Sequence, residues 1–219
     1  MKNIYFFAIL IIVLWSCDNS DKKKSKTIDD TEIASEEIKV EIPKNQKLTK
    51  EQQIASAILA APNEAREGAT VYGYDDNGSF ITLKEGFNNF ICIADNSKKN
   101  GFQVVCYHNS LEPMMARGRE LTIEGKLRGE KEKIRNDEAK SGKLKLPDSP
   151  ATLHIYYGEK AFFNTETNQI ENAKYRYVVY MPYATQETTG LSLKPNEASH
   201  PWLMFPGKYN AHIMITPNE

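Results

Sequence analysis

The sequence predicts a single α+β domain with a largely antiparallel sheet, and three observations support that class. Short β-rich runs recur at 69–74, 80–83, 90–94, 102–107, 152–157 and 175–181, with shorter ones at 202–205 and 211–215. The pair Asn77-Gly78 stands between the first two runs, and Asn-Gly flanked by strand formers is the strongest short hairpin signal. Helix-favouring sequence precedes the first run and separates the fourth from the fifth, so helices are set apart from the strand pairs they serve.

From the N-terminus, Lys2 precedes an apolar run, Ile4 to Leu14, that stops at Ser16 and Cys17. At about 11 residues this run has the size of a signal-peptide core, and it is short of the roughly 20 a helix needs to span hydrocarbon. Leu14-Trp15-Ser16-Cys17 resembles a bacterial lipobox, with an aliphatic residue three before the cysteine and a small one just before it. Trp15 departs from that pattern, which usually has a smaller residue there. The resemblance implies removal of residues 1–16, acylation of Cys17 and a place in the cell envelope, anchored to a membrane by lipid. Residues 17–48 read as the lipidated cysteine and a polar, disordered tether. They hold too few large apolar side chains to offset the entropy of ordering, and as a coil of about 30 residues they would reach roughly 30 Å.

The globular domain is expected over 49–219. Thr49-Lys50-Glu51-Gln52 reads as a capping box opening a helix, with Ile54, Ile58 and Leu59 on one face and Pro62 ending it. The runs at 69–74, 80–83, 90–94 and 102–107 are expected to form a meander of four strands. A hairpin folded about Lys99 sets Cys92 opposite Cys106 at a Cα separation of roughly 4.5–5.5 Å, inside disulfide range. With Cys17 taken by lipid these two remain as an even pair in an oxidising compartment. Closing this loop would stabilise the fold by about 3 kcal/mol. Residues 112–140 are charge-rich and helix-favouring, and Gly118, Gly125 and Gly129 are expected to break that helix into pieces.

A wider resemblance rests on the stretch from Glu51 to Gly125, especially Ala60-Ala61-Pro62, Leu83-Lys84-Glu85-Gly86 and Cys106-Tyr107-His108-Asn109-Ser110-Leu111-Glu112-Pro113-Met114-Met115-Ala116-Arg117-Gly118-Arg119-Glu120-Leu121, and on Pro201-Trp202-Leu203-Met204-Phe205-Pro206-Gly207. These are similar to segments of a group of uncharacterised exported bacterial proteins. The resemblance implies export and no particular activity.

Composition narrows the function. With 28 basic against 29 acidic residues and a formal charge of −1, no overall field gathers nucleic acid. The sequence has no G-x-S-x-G, H-E-x-x-H, phosphate-loop or paired C-x-x-C pattern, so no cofactor is expected. Weaker constellations remain. Cys106 and His108 lie two apart on one strand and share a face, although a disulfide would withdraw the thiol. His108, Glu112, Arg117, Arg119 and Glu120 are the candidate ligand-binding set. Paired arginines grip carboxylate or phosphate and a glutamate serves as base, while the plainer reading is a helical turn with its own ion pairs. His200, Met204, His212 and Met214 are weak copper candidates, imidazole and thioether suiting that metal. There, Ala211, Ile213 and Ile215 are expected to face the core and leave His212 and Met214 on the other side. Tyr156, Tyr157, Tyr175, Tyr177, Tyr180 and Tyr183 gather around one expected hairpin, an aromatic surface suited to sugar or peptide.

The expected function is a lipid-anchored, non-catalytic binding module for a protein or small molecule. The alternatives are an envelope hydrolase using His108, Glu112 and the two arginines, and a periplasmic copper-binding protein.

Overall fold

The computed structural model describes residues 46–197 and 199–217. The expected signal segment, Cys17 and nearly all of the tether lie outside the described residues.

Helix α1 (Lys50–Ile58) opens on the expected capping box. Thr49 Oγ1 accepts from the Gln52 backbone N–H at 3.3 Å, and Gln52 Oε1 accepts from the Thr49 N–H at 2.9 Å. The side that packs deepest is not the isoleucine stripe, however. Ser56 and Ala57 are fully buried, and Ile54, Ile58 and Leu59 pack around them at partial burial. Beyond the helix, Arg66 turns back and donates to the carbonyls of Ala61 and Leu59 at 3.1 and 3.0 Å, acceptors that a helix end leaves without partners.

Strands β1 (Thr70–Tyr74) and β2 (Phe80–Lys84) form the expected hairpin. Asp75 Oδ1 accepts from the Asn77 and Ser79 N–H groups at 2.9 and 2.8 Å, and Gly78 takes a φ of +81° that side-chain-bearing residues resist. Strands β3 (Phe90–Ile93) and β4 (Phe102–His108) form the second hairpin. The expected meander is corrected, because β3 pairs with β1 in parallel and β2 is left at the sheet edge. The loop after β2 dictates this. Phe87 and Asn88 N–H both donate to the Gly68 carbonyl, at 2.8 and 3.1 Å. Gly86 lies so close to the backbone of residues 68–70 that a Cβ there would collide with it. The chain therefore crosses the start of β1 and leaves on its far side.

The second half of the sheet comes from β5 (Ala151–Gly158), β8 (Lys174–Tyr180), β9 (Trp202–Met204) and β10 (His212–Ile215). The eight strands run in the order β2-β1-β3-β4-β5-β8-β10-β9, antiparallel at every pairing except β1 with β3. A separate ribbon of β6 (Phe162–Asn164) and β7 (Gln169–Glu171) is inserted between β5 and β8.

The two faces of the sheet are closed differently. One carries Val71, Leu83, Cys92, Val104 and Cys106 beneath α1, with Phe163 of the ribbon in the same cluster. The other carries Ile91 and Tyr107 against Leu111 and Met114. That face is served by α2 (Glu112–Ile123) and α3 (Arg128–Lys140), which pack on each other. Gly125, at φ +75°, separates these helices as expected, whereas Gly118 and Gly129 lie inside them. The reason at Gly118 is close packing, since a Cβ there would stand 3.1 Å from the Arg135 guanidinium of α3. A short helix α4 (Gln186–Thr189) follows β8. Among the described residues no helix is long and apolar enough to cross a membrane.

Candidate functional site

Strand alternation decides which of the expected site residues meet. Tyr107 and His108 are neighbours at the end of β4, so their side chains leave on opposite faces. Tyr107, 1% exposed, points beneath α2. Its hydroxyl donates to Glu112 Oε2 at 2.5 Å, and Arg119 donates to Glu112 Oε1 at 2.5 Å and to the Tyr107 oxygen at 3.2 Å. The Arg119 guanidinium also covers the rings of Phe80 and Tyr72, 5.1 and 5.8 Å from their centroids. Burial, then the adjacent Glu112 carboxylate, pushes the Tyr107 phenol well above its ordinary range.

Arg117, two residues earlier, faces α3 instead. It forms a fork on Glu138 at 3.0–3.1 Å and also reaches Glu120 at 3.0 Å and Glu124 at 3.2 Å. The Arg117 hydrogen bonds hold the Glu138 carboxyl below its ordinary value. A cavity of 470 Å³ runs beside this group, lined by Pro113, Arg117, Glu120, Glu138 and Lys143 among others. Of the expected set, Glu112 joins Arg119 and Glu120 joins Arg117. Each arginine is engaged by carboxylates of its own helix hairpin, and His108 belongs to neither group.

Cys92 and Cys106 are joined as a disulfide, directly opposite one another with a Cα separation of 4.0 Å. The bond removes Cys106 as a thiol partner for His108. Cys106 Sγ lies 3.1 Å from the Ala57 carbonyl oxygen, which seats the bridge against α1.

The C-terminal histidines and methionines are also placed differently from expectation. His212 and Met214 are buried, at 7% and 9% exposure, while Ile213 and Ile215 are half-buried on the opposite face. His212 is enclosed by Tyr180 and Phe205, with ring centroids 5.0 and 5.6 Å away. Its Nδ1 lies 2.8 Å from the Asn210 carbonyl, to which an N–H there donates. Burial holds the His212 pKa below the ordinary imidazole value. Met204 is directly opposite His212 in the ladder, but His200 stands in the preceding loop, 3.6 Å from Glu197. Among the described residues no group of three or more His, Cys, Asp or Glu side chains is arranged to hold a metal.

A different constellation emerges where β5 and β8 pair. Tyr156 lies opposite Tyr175 and His154 opposite Tyr177. All four leave on the face that carries Cys106, along with Phe90 and His108. Tyr175 Oη is 2.7 Å from His154 Nδ1. Ring centroids lie 4.8 Å apart for Tyr156 and Tyr175, 5.8 Å for His154 and Tyr177, and 6.2 and 6.3 Å from Phe90 to His108 and His154. α1 rests on β1 to β4, and these six side chains beyond it are all half-buried. Burial lowers the His154 pKa, and burial, then Tyr156 and Tyr177, pushes Tyr175 up to about 12. Burial thus favours the neutral His154 imidazole and Tyr175 phenol, and the surface offers ring faces with hydroxyl and imidazole edges.

The six tyrosines expected around one hairpin are thus divided. Tyr156, Tyr175 and Tyr177 share this face, while Tyr157 and Tyr180 leave on the other. Tyr183 lies in the loop after β8 at φ 64°. Comparison of the chain with known protein families, with curated proteins and with solved structures finds no match.

Proposed function

We propose that this chain is a lipid-anchored protein of the bacterial cell envelope whose folded domain is a non-catalytic binding module. Its ligand is received on the tyrosine and histidine face of β5 and β8. The observation that carries this reading is the contrast in how the polar side chains are used. Glu112, Arg117, Arg119 and Glu120 spend their hydrogen bonds on one another and on Tyr107 and Glu138, so none of these four stands free as a general acid or base. The rings of His154, Tyr156, Tyr175 and Tyr177 are instead half-buried, and burial favours the neutral forms of His154 and Tyr175. Tyrosine offers a flat apolar face with a polar tip, and such surfaces hold ligands by stacking and directed hydrogen bonds. The lipobox-like segment and the polar stretch after Cys17 supply the anchor and spacer in this reading.

Intact-mass analysis of the chain extracted from its native membrane tests the anchor. The expected species lacks residues 1–16, carries acyl groups on Cys17 and is lighter by the two hydrogens of the disulfide. A full-length, unacylated chain in the soluble fraction overturns it. The binding face is tested by calorimetric titration with soluble oligosaccharides and short peptides. Binding that Tyr177→Ser and His154→Ala reduce at least tenfold supports the assignment, and binding that both variants retain places the ligand elsewhere.

A further inference from the structure

We propose that the tip of the α2–α3 hairpin is a membrane-contact surface that inserts two aliphatic side chains among anionic lipid headgroups. Ile123 ends α2 and Leu127 precedes the first residue of α3, and they are 83% and 74% exposed. Nothing in the fold requires aliphatic residues there, because α3 has no fully buried residue. A Cβ added at Gly125 or Gly129 meets nothing within 4 Å, so no other described residue covers the turn at these points.

The charges around the tip select the occupant. Its acidic residues are engaged within the protein. Glu120 and Glu124 bind Arg117 at 3.0 and 3.2 Å, and Glu130 accepts the Leu127 backbone N–H at 2.9 Å. The basic residues nearest the turn have no carboxylate partner among the described residues. Among the described residues Lys131 Nζ reaches only the Thr122 hydroxyl, at 3.0 Å. Lys126 and Arg128 form no salt bridge to another described residue. Two bare aliphatic side chains with Lys126 and Arg128 on either side of Leu127 match an anionic bilayer interface, where aliphatic groups enter the acyl boundary and ammonium or guanidinium groups stay at headgroup level. The inference rests on the envelope reading only for the supply of a membrane. Tethered through Cys17, the domain would meet that membrane at high local concentration.

The test uses the full mature chain carrying Ile123→Cys labelled with a nitrobenzoxadiazole fluorophore, Cys92 and Cys106 being closed to labelling by their disulfide and Cys17 by its acyl thioether, or by Cys17→Ser where it carries none. It is added to vesicles of phosphatidylcholine alone or of an equal mixture with phosphatidylglycerol. On the mixed vesicles the label is expected to brighten, shift to shorter wavelength and be quenched by acyl-brominated lipid. A label at Thr165, in the ribbon turn, stays in water. Lys126→Glu with Arg128→Glu is expected to reduce the quenching at least fivefold. A label at Ile123 that remains in water on the mixed vesicles, or that enters neutral vesicles equally well, overturns the proposal. Flotation of the chain with vesicles while the Ile123 label stays in water overturns the tip and leaves the anchor standing. A buried label on the Cys17→Ser chain, alongside a native chain whose mass shows no acyl group, supports the tip and overturns the anchor.

Discussion

Cys106 and Tyr107 are consecutive residues of one strand, yet they are held by opposite means. Cys106 is bonded to Cys92 and lies under the alanine side of α1, among Val71, Val104 and Leu83. Tyr107 is tied by its hydroxyl to Glu112 and Arg119, and α2 above it is fixed to α3 by Arg117 and Glu138. One face of the sheet is closed by a covalent bond and close-packed small residues, the other by charge-assisted hydrogen bonds around a buried phenol. The first arrangement is indifferent to salt and protons and sensitive to reductant. The second needs its carboxylates ionised and every partner present.

The largest effect is expected from opening the covalent side. Cys92→Ala with Cys106→Ala should lower stability by about 3 kcal/mol, read as a shift of the denaturant midpoint with little change in its salt dependence. A loss under about 1 kcal/mol would show that α1 packing alone closes that face. Next in size is Glu112→Ala, expected to cost about 2 kcal/mol by stranding the Tyr107 hydroxyl and leaving Arg119 without its carboxylate. Tyr107→Phe should cost about 1 kcal/mol by the same measurement. If the order of these two is reversed, the carboxylate is not the organiser of that face.

A smaller, pH-dependent effect comes from one histidine on each face. His154 and His212 have folded pKa values held below the ordinary 6.5 by burial. Protons therefore bind the unfolded chain first as pH falls, so the stability both residues confer is whole above pH 6.5 and declines below it. His154→Gln should flatten that slope in part, and His154→Gln with His212→Gln should remove it. Glu138, depressed below 4.5 chiefly by its Arg117 hydrogen bonds, adds a loss of the same sign that begins only as pH falls below about that value. An unchanged slope in the double variant would place the titration elsewhere. The smallest effect is screening. At about 1 M salt the Debye length falls to about 3 Å, and amide exchange in α3 should quicken while that of α1 stays constant.

How much of this was legible in the sequence depended on whether local pattern or long-range pairing decided the outcome. The Thr49 capping box, the Asn-Gly hairpin and the facing of Cys92 with Cys106 are local and came out as read. The parallel pairing of β3 with β1 did not, because it follows from the Gly86 loop crossing the start of β1. The β6–β7 ribbon was missed because three-residue strands are too short to show a period, although Asn168, at φ 55°, marks a turn. At Ala211 to Ile215 the alternation was visible, but its sense was not. The bulkier isoleucines were assigned inward, while Tyr180 and Phe205 enclose His212 on the other face. The candidate site suffered most from reading along the chain. His108 was grouped with Glu112 by proximity in sequence, when the alternation at Tyr107 and His108 already sent them apart. His154 carries no local signal, because its partners, Tyr175 and Tyr177, come from a strand some twenty residues later.

The order of the sheet also sets a timetable for synthesis. Strands β1 to β4 come from one continuous stretch and the remaining four from another, and the two halves are zipped together only where β4 meets β5. Until residues 151–158 leave the ribosome, the outer rim of β4 offers its unsatisfied amides and carbonyls, with Phe102 and Val104, to any passing polypeptide. A stalled or truncated product ending in α3 would therefore be a sticky half-sheet, and a holding chaperone is most needed during that interval.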